Sequence, residues 1–221
     1  MNKLHFLTIP VVLLLAGTGH MAYAQDKSGF GTASDAINSL SVAMDVSNYK
    51  ESDFPDDFDP WAGVSVAYLR ATPISGVKNL YWEIGGEFKY TFDKWESHDI
   101  DYINAFSSIS IPADAMYLIN LSKKIKLAPF AGLDATMYLS GTSKSAKDGE
   151  ELSKYDYFKD GDENEDGKIH RLTLGYHIGA RLYLNRFFIG VTYQPESTLY
   201  SYDDGSKDSF AHTKIALGIR F

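Results

Sequence analysis

The chain has 221 residues, no cysteine, 14% aromatic residues and a formal net charge of -8. The length and the aromatic content suit one β-rich domain, and the absence of cysteine excludes a disulfide framework. The sequence contains no basic stripe and no glycine-rich phosphate loop after a strand, which argues against nucleic-acid and nucleotide binding.

The N-terminal residues have the organisation of a secretory signal peptide. Lys3 supplies the charged region, residues 6–16 form a short apolar run, and Ala22-Tyr23-Ala24 offers a small-residue cleavage site. The alternative is an N-terminal membrane anchor, which needs a run of roughly 20 apolar residues, and this run is shorter. We therefore predict a signal peptide over residues 1–24 and an exported mature chain over residues 25–221.

The mature chain alternates between apolar and polar residues with the period of two that a β-strand requires. The clearest alternation lies in residues 171–184. In chain order, the predicted strands cover residues 40–46, 61–70, 82–92, 102–119, 127–139, 171–184, 187–198 and 209–221. Eight amphipathic strands in series predict an all-β fold, an eight-stranded antiparallel up-and-down barrel.

The connections between these strands alternate between long and short. Long connections span residues 49–60, 93–101, 141–168 and 203–208, and each carries an excess of acidic residues. Short connections span residues 72–79, 122–126 and 185–186, and their charged residues are all basic: Lys78, Lys123, Lys124, Lys126 and Arg186. Outer-membrane barrels have short periplasmic turns and longer extracellular loops. We therefore expect the acidic loops to face the cell exterior.

Alternation by itself does not distinguish a transmembrane barrel from a soluble lipocalin-like barrel, whose interior is apolar. Seven glycines lie on the polar face, with Gly86 as the exception: Gly63, Gly85, Gly132, Gly175, Gly179, Gly190 and Gly218. A glycine on a solvent-facing surface only weakens a strand, whereas small residues inside a narrow barrel make room for larger ones. We therefore predict that the polar face lines the lumen and that the apolar face contacts lipid.

Aromatic residues near the strand ends support the same orientation. We assign nine of them to the apolar face or to positions next to it: Tyr68, Trp82, Tyr90, Phe92, Tyr117, Tyr183, Phe187, Tyr193 and Phe221. Aromatic side chains form girdles at both membrane interfaces. The alternative, the ordinary aromatic preference of β-strands, accounts for only some of them.

Three segments carry a resemblance to a known family. They are the terminal strand over residues 212–221, which ends on Phe221, the segment Ser110-Ile111-Pro112 before residues 115–119, and residues 128–133. The mature chain resembles the outer-membrane β-barrel domain family of Gram-negative bacteria, the small porin-like or OmpA/OmpX-like barrels. The resemblance implies a monomer in contact with outer-membrane lipid and lipopolysaccharide. It also implies that the barrel-assembly machinery recognises the terminal strand through Phe221.

The predicted lumen face carries charges of both signs in similar numbers: Asp45, Glu83, Glu87, Lys89, Asp134, Arg171, His177, Arg181, His212, Lys214 and Arg220. Such a balance favours a lumen filled by salt bridges. The alternative is a narrow porin-like diffusion channel, which needs a continuous wet path between these charges.

Residues 162–169 contain the beginning of a calcium-binding loop. Asp162, Asn164 and Asp166 occupy the alternate ligand positions, and Gly167 occupies the position of the sharp turn. Position twelve of the motif is Thr173 instead of a bidentate glutamate, so the ligand set is incomplete. We expect a solvated acidic loop, with weak calcium binding by these three residues as the alternative, and no other cofactor.

An enzymatic role would need a nucleophile and a base within reach of each other. His170 and His177 could pair with Ser140, Ser143 or Ser153, but no sequence spacing supports any of these pairs. We therefore predict an outer-membrane protein with a structural or surface-interaction role and without enzymatic activity. A secretion-accessory barrel and a lipid-modifying enzyme are the remaining alternatives.

Overall fold

The computed structural model describes residues 36–50, 60–159, 167–202 and 207–221. These residues form eleven β-strands: β1 (Ile37–Lys50), β2 (Trp61–Pro73), β3 (Leu80–Ser97), β4 (Ile100–Tyr117), β5 (Ile119–Asn120), β6 (Ile125–Lys147), β7 (Glu150–Asp156), β8 (Gly167–Ile169), β9 (Leu172–Leu184), β10 (Phe187–Tyr202) and β11 (Lys207–Arg220). In the described ranges, no helix has the length and apolar character needed to cross a membrane. The predicted signal peptide, residues 1–24, lies outside the described residues.

Eight long strands close into one barrel. Each pairs antiparallel with the next in the order β1, β2, β3, β4, β6, β9, β10 and β11. The last strand returns to the first, with Arg220 opposite Ser39 and Ser209 opposite Lys50. The prediction of an eight-stranded antiparallel up-and-down barrel is confirmed. Each predicted segment falls on one of these strands, apart from residues 118–119, Arg171 and Phe221 at the ends of three segments.

The side chains of the long strands separate into two faces because successive residues point to opposite sides of a sheet. On β1, Asp45 and Ser47 are buried, whereas Met44 and Val46 are exposed. The other long strands also expose large apolar side chains, for example Tyr68, Phe88, Ile109, Leu133, Leu174, Val191 and Leu217. The polar face therefore lines the lumen, as the sequence predicts.

Glycines lie where the barrel interior is most crowded. A β-carbon on Gly132 would be 2.1 Å from Oδ1 of Asp114, and one on Gly179 would be 2.4 Å from the Phe130 ring. Gly86 on the outer face has no atom within 4 Å of the position that a β-carbon would occupy. The prediction that lumen glycines make room for larger side chains is confirmed at these sites.

Strand residues occupy part of all four predicted loops, and most extensively two of them. Residues 93–97 extend β3, residues 100–101 begin β4, and residues 141–147 extend β6 into a hairpin with β7. The expectation of loops over residues 93–101 and 141–156 is therefore wrong. The pairing of β3 with β4 continues through these residues, and side chains contact each other across the strands. Trp95 and Tyr102, for example, stack with their ring centroids 4.1 Å apart.

The turns of these two hairpins explain the continuation. His98 and Asp99 both have positive φ, and so do Asp148 and Gly149. Positive φ at both central residues is typical of the two-residue turns that match the twist of a hairpin. The dipeptide Asp148-Gly149 is therefore a hairpin signal already present in the sequence.

Four segments form what we call the projecting sheet: residues 93–97 of β3, 100–106 of β4, 140–147 of β6, and β7. The pairing of β2 with β3 ends at Ala62 opposite Phe92, and the pairing of β6 with β9 ends at Met137 opposite Leu172. Beyond these points, the described residues of the sheet pair with each other. The sheet therefore extends past the barrel wall.

The two ends of the barrel differ in their connections. We call the end with turns at residues 74–79, 121–124 and 185–186 the turn end, and the opposite end the loop end. The three short connections are confirmed, although strand residues take up part of the first two predicted ranges. At the loop end, residues 51–59, 160–166 and 203–206 lie outside the described residues.

Candidate functional site

A buried ion pair crosses the lumen near the turn end. Nη1 of Arg181 on β9 lies 2.7 Å from Oε1 and 2.8 Å from Oε2 of Glu83 on β3. The two side chains are only 7% and 2% exposed. The Arg181 guanidinium also stands 4.4 Å from the centre of the Phe130 ring, which adds a cation–π contact. Charge, hydrogen bonding and an aromatic face together hold the cation inside the barrel.

A histidine bridges two carboxylates at the next level. Nε2 of His177 is 2.6 Å from Oδ1 of Asp114, and its Nδ1 is 3.3 Å from Oδ1 of Asp134. Asp134 also accepts hydrogen bonds from Thr136 Oγ1 at 2.9 Å and Gln194 Nε2 at 3.4 Å. An imidazolium donates to both carboxylates, whereas a neutral ring donates to one. The cluster therefore links β4, β6, β9 and β10 across the interior.

A second pair crosses the lumen at a similar height. Nζ of Lys214 on β11 donates to Oε2 of Glu87 on β3 at 2.5 Å. Both side chains are mostly buried, so removing either one would leave a poorly solvated charge. This pair ties the last strand of the barrel to its third strand.

Toward the loop end, a cluster forms around His212. Its Nδ1 lies 2.7 Å from Oγ of Ser47 and 3.4 Å from Oδ1 of Asp45, and its Nε2 lies 3.4 Å from Nζ of Lys89. Ser47 in turn donates to Asp45 at 2.5 Å. The lumen is thus bridged by side chains from opposite walls at successive heights.

A small cavity remains between these groups. Its volume is about 60 Å³, and it is lined by Asp114, Asp134, His177, Lys89 and Lys214 among others. A volume of this size has room for a few water molecules at most. The polar lining offers hydrogen-bond partners to such waters.

An aromatic cluster lies across the lumen above the polar groups. We call it the aromatic cap; its buried members are Trp61, Phe106, Tyr138, Phe158, Leu199 and Phe210. Phe106 lies at its centre, with ring centroids 5.7 Å from Trp61 and 6.2 Å from Phe210. Because these residues come from β2, β4 and β11, the cap spans the barrel instead of following one wall.

The segment after β7 completes the cap. Arg171 donates from Nη2 to the Phe158 carbonyl at 3.2 Å, and its guanidinium lies 4.7 Å from the centre of the Phe158 ring. The neighbouring Tyr157 donates its backbone N–H to the Gly141 carbonyl at 3.0 Å. Burial raises the pKa of the Tyr157 phenol. These contacts fix Phe158 over the mouth of the barrel.

The structure brings together most of the charged residues that the sequence predicts for the lumen. Nine of the eleven lie within it: Asp45, Glu83, Glu87, Lys89, Asp134, His177, Arg181, His212 and Lys214. Two lie at its mouths instead. Arg171 is exposed beside the aromatic cap, and Arg220 donates from Nε to the Asn185 carbonyl at 2.6 Å at the turn end.

Two assignments from sequence need correction. Asp114 was not among the predicted lumen charges, yet its side chain is 2% exposed beside His177. Tyr183 was assigned to the aromatic girdle, but it is 1% exposed in the lumen, 5.2 Å from the Phe188 ring. Position 183 shares its face of β9 with His177 and Arg181, and this parity is the signal that identifies it. The other eight predicted girdle residues are exposed on the outer surface.

The arrangement of serine and histidine differs from the pairs considered in the sequence analysis. His177 contacts two carboxylates, and Nε2 of His170 lies 3.0 Å from Oγ of Ser201. Ser47 contacts His212, but serine and aspartate approach the same ring nitrogen, whereas a catalytic triad needs them on opposite nitrogens. Ser47 is also 0% exposed, so a substrate could not reach its hydroxyl.

The predicted calcium ligands Asp162, Asn164 and Asp166 lie outside the described residues. Within the described ranges, no group of three or more His, Asp or Glu side chains is arranged to hold a metal ion. Calcium binding therefore stays a prediction from the sequence motif.

Comparison with solved structures identifies the fold. One match is Ail, the attachment invasion locus protein of Yersinia pestis, whose structure is in complex with the heparin analogue sucrose octasulfate. The two structures match with a TM-score of 0.50 and 19% sequence identity, and the match covers 85% of this chain and 99% of the Ail chain. Neisserial surface protein A matches with a TM-score of 0.42 and 13% identity, covering 84% of this chain and 97% of its own. No protein-family model and no curated protein matches the sequence.

Proposed function

Because the chain has the fold of the small outer-membrane β-barrels of the OmpA/OmpX-like type, we propose that it is an integral outer-membrane protein with a closed lumen and a surface-interaction role. The proposal has three parts: the barrel spans the membrane, its interior does not conduct, and its loop end contacts partners outside the cell.

The outer surface supports a position in the membrane. Large apolar side chains cover it, including Leu174, which is 79% exposed, and Leu133, which is 66% exposed. A contiguous apolar surface of this kind is a liability in water, whereas a lipid bilayer solvates it. Phe221 fits the same arrangement, because its backbone pairs with Asn38 and its exposed ring lies 6.4 Å from the Tyr68 ring. We propose that the assembly machinery recognises this terminal strand.

The contacts between side chains that cross the lumen are the observation that carries the proposal. The pair of Arg181 with Glu83, the pair of Lys214 with Glu87 and the His177 cluster cross the interior, and the aromatic cap covers them. Ion conduction requires a continuous wet path, and opening one here would break several buried charge contacts at once. Such contacts are costly to break because the low-dielectric interior leaves each released charge uncompensated.

The projecting sheet supports a surface-interaction role. Among the described residues, β7 pairs with β6 alone, so its other edge presents backbone donors and acceptors. An extended peptide can add to such an edge by strand pairing. The long connections at this end are acidic in sequence, so a polysulfated ligand like that of the Ail complex fits this chain poorly. We propose a neutral or basic extended segment as the partner.

Two measurements test the proposal. The protein should fractionate with the outer membrane and show heat-modifiable migration on a gel, as a folded barrel does. In planar bilayers it should give no reproducible large conductance, with a general porin in the same bilayers as the positive control. Absence from the outer-membrane fraction would refute the membrane assignment. A reproducible large conductance would refute the closed lumen and favour a diffusion channel.

A further inference from the structure

The turn end carries a ring of positive charge, which we call the basic rim: Lys78, Lys123, Lys124 and Arg186. Lys78, Lys123 and Lys124 are exposed, and Arg186 is partly exposed. Each of the three short turns contributes at least one of these cations, and residues 74–79, 121–124 and 185–186 contain no aspartate or glutamate. Positive charge is therefore concentrated in the short turns, whereas acidic residues outnumber basic residues in the long connections.

The turns hold these cations in fixed positions. Asn185 N donates to the Lys124 carbonyl at 2.9 Å, and Arg220 N donates to the Arg186 carbonyl at 2.7 Å. Ser122 Oγ accepts hydrogen bonds from the backbone of the β5–β6 turn. Lys123 and Lys124 are neighbours within one turn. Keeping like charges close together raises the local potential and favours anions nearby.

An exposed apolar side chain accompanies the cations on each turn. Val77 precedes Lys78 and is 50% exposed; Leu121 precedes the lysine pair and is 58% exposed; Phe187 follows Arg186 and is 66% exposed. A cation next to an apolar side chain suits the boundary between headgroups and acyl chains, where each group meets its preferred surroundings. A soluble anion would use the cation alone.

The positions of the turns also favour a membrane over a single protein partner. The three turns join the second strand to the third, the fourth to the fifth and the sixth to the seventh of the eight that form the wall. They are therefore spaced around the circumference instead of clustered on one side. A lipid leaflet surrounds a barrel on all sides, whereas a protein partner typically contacts one patch.

We propose that the basic rim binds the headgroups of anionic phospholipids in the leaflet at the turn end. The proposal rests on the membrane location argued above. A Lys or Arg near an anionic membrane surface contributes about 1 kcal/mol, or roughly a fivefold preference. The unmodified protein should therefore retain phosphatidylglycerol over phosphatidylcholine of the same acyl chains by at least about fivefold.

The experiment compares three proteins folded into vesicles that contain equal amounts of these two lipids. The test variant carries Gln at Lys78, Lys123, Lys124 and Arg186. The matched control carries Gln at four lysines of the projecting sheet: Lys94, Lys144, Lys147 and Lys154. Both variants lose the same charge, but at opposite ends of the barrel. Heat-modifiable migration verifies folding, and native mass spectrometry counts the lipids of each class that each protein retains.

The unmodified protein and the matched control should both retain phosphatidylglycerol preferentially, and the test variant should retain the two lipids about equally. If all three folded proteins preferred phosphatidylglycerol to the same extent, the proposal would be overturned. Loss of this preference in the matched control would also overturn it, because the change in net charge would then explain the loss. Displacement of phosphatidylglycerol by millimolar inorganic phosphate would identify a general anion site and overturn the lipid assignment. If the unmodified protein does not fold into vesicles, the proposed membrane location fails as well.

Discussion

Replacing Arg181 with methionine should strongly destabilise the barrel. Glu83 would then stay buried, 2% exposed, without the cation that lies 2.7 Å away. Breaking a buried ion pair by removing one partner costs about 3–5 kcal/mol, mainly because the remaining charge is desolvated. The methionine itself fits the site, since Met116 Sδ already lies 3.9 Å from Nη1 of Arg181. The free energy of unfolding should therefore fall by about 3–5 kcal/mol.

The cost should be recovered when the partner is also replaced. In the double variant Arg181→Met/Glu83→Met, no unpaired charge remains at this level, and apolar replacement of a buried pair is often close to neutral. We expect the double variant to regain at least half of the stability lost by Arg181→Met. Glu83→Met alone should also destabilise, because it leaves the guanidinium uncompensated between Phe130 and Phe188.

The assay is urea unfolding of the barrel folded in lipid vesicles, followed by tryptophan fluorescence and by the heat-modifiable gel band. The two signals should change together if unfolding is two-state. A loss below about 1 kcal/mol for Arg181→Met would contradict the argument, because the charge would then be solvated. A double variant whose loss equals the sum of the two single losses would also contradict it, because the two charges would then be uncoupled.

Two further pairs of variants test the outer face and the lumen glycines. Ile178→Lys places a charge on the apolar band near the middle of β9, where the Ile178 side chain is 61% exposed, and should cost about 2–4 kcal/mol. Leu152→Lys on the projecting sheet should have little effect, and equal effects in urea unfolding would argue against a membrane-facing band. Gly132→Ala would bring a β-carbon to 2.1 Å from Oδ1 of Asp114 and should lower the free energy of unfolding by about 1–3 kcal/mol. Gly86→Ala has open space around the new β-carbon, so it should be neutral or slightly stabilising. A larger loss of stability for Gly86→Ala than for Gly132→Ala would refute the crowding argument.

The barrel and its two faces could be predicted because both depend on local patterns. Alternation assigns each side chain to one side of the sheet, and strand number fixes an interior that side chains can fill. On β9, one parity joins His177, Arg181 and Tyr183, and all three are buried. Tyr183 is aromatic and lies near a strand end, as girdle residues do, but its parity places it in the lumen.

The pairing inside the lumen could not be predicted from the same patterns. Parity places Asp114 on the buried face of β4, away from the exposed Ile109 and Ile111, but it does not identify the side chain that Asp114 contacts. The partner of each charge depends on contacts across the barrel, such as Arg181 with Glu83, which are 98 residues apart. Residues so far apart in the sequence share no spacing pattern that would identify them as partners.

The lumen glycines nevertheless contain information about these contacts. Gly179 makes room for the Phe130 ring, and that ring supports Arg181 as it reaches Glu83. Gly218 likewise makes room for the Phe188 ring, with a β-carbon position only 2.3 Å from it. In both pairs the glycine lies directly opposite the aromatic residue on the neighbouring strand, so the missing side chain leaves space for the ring inside the narrow lumen. Glycines on the polar face of such a barrel therefore indicate the heights at which large side chains of the neighbouring strand fill the interior.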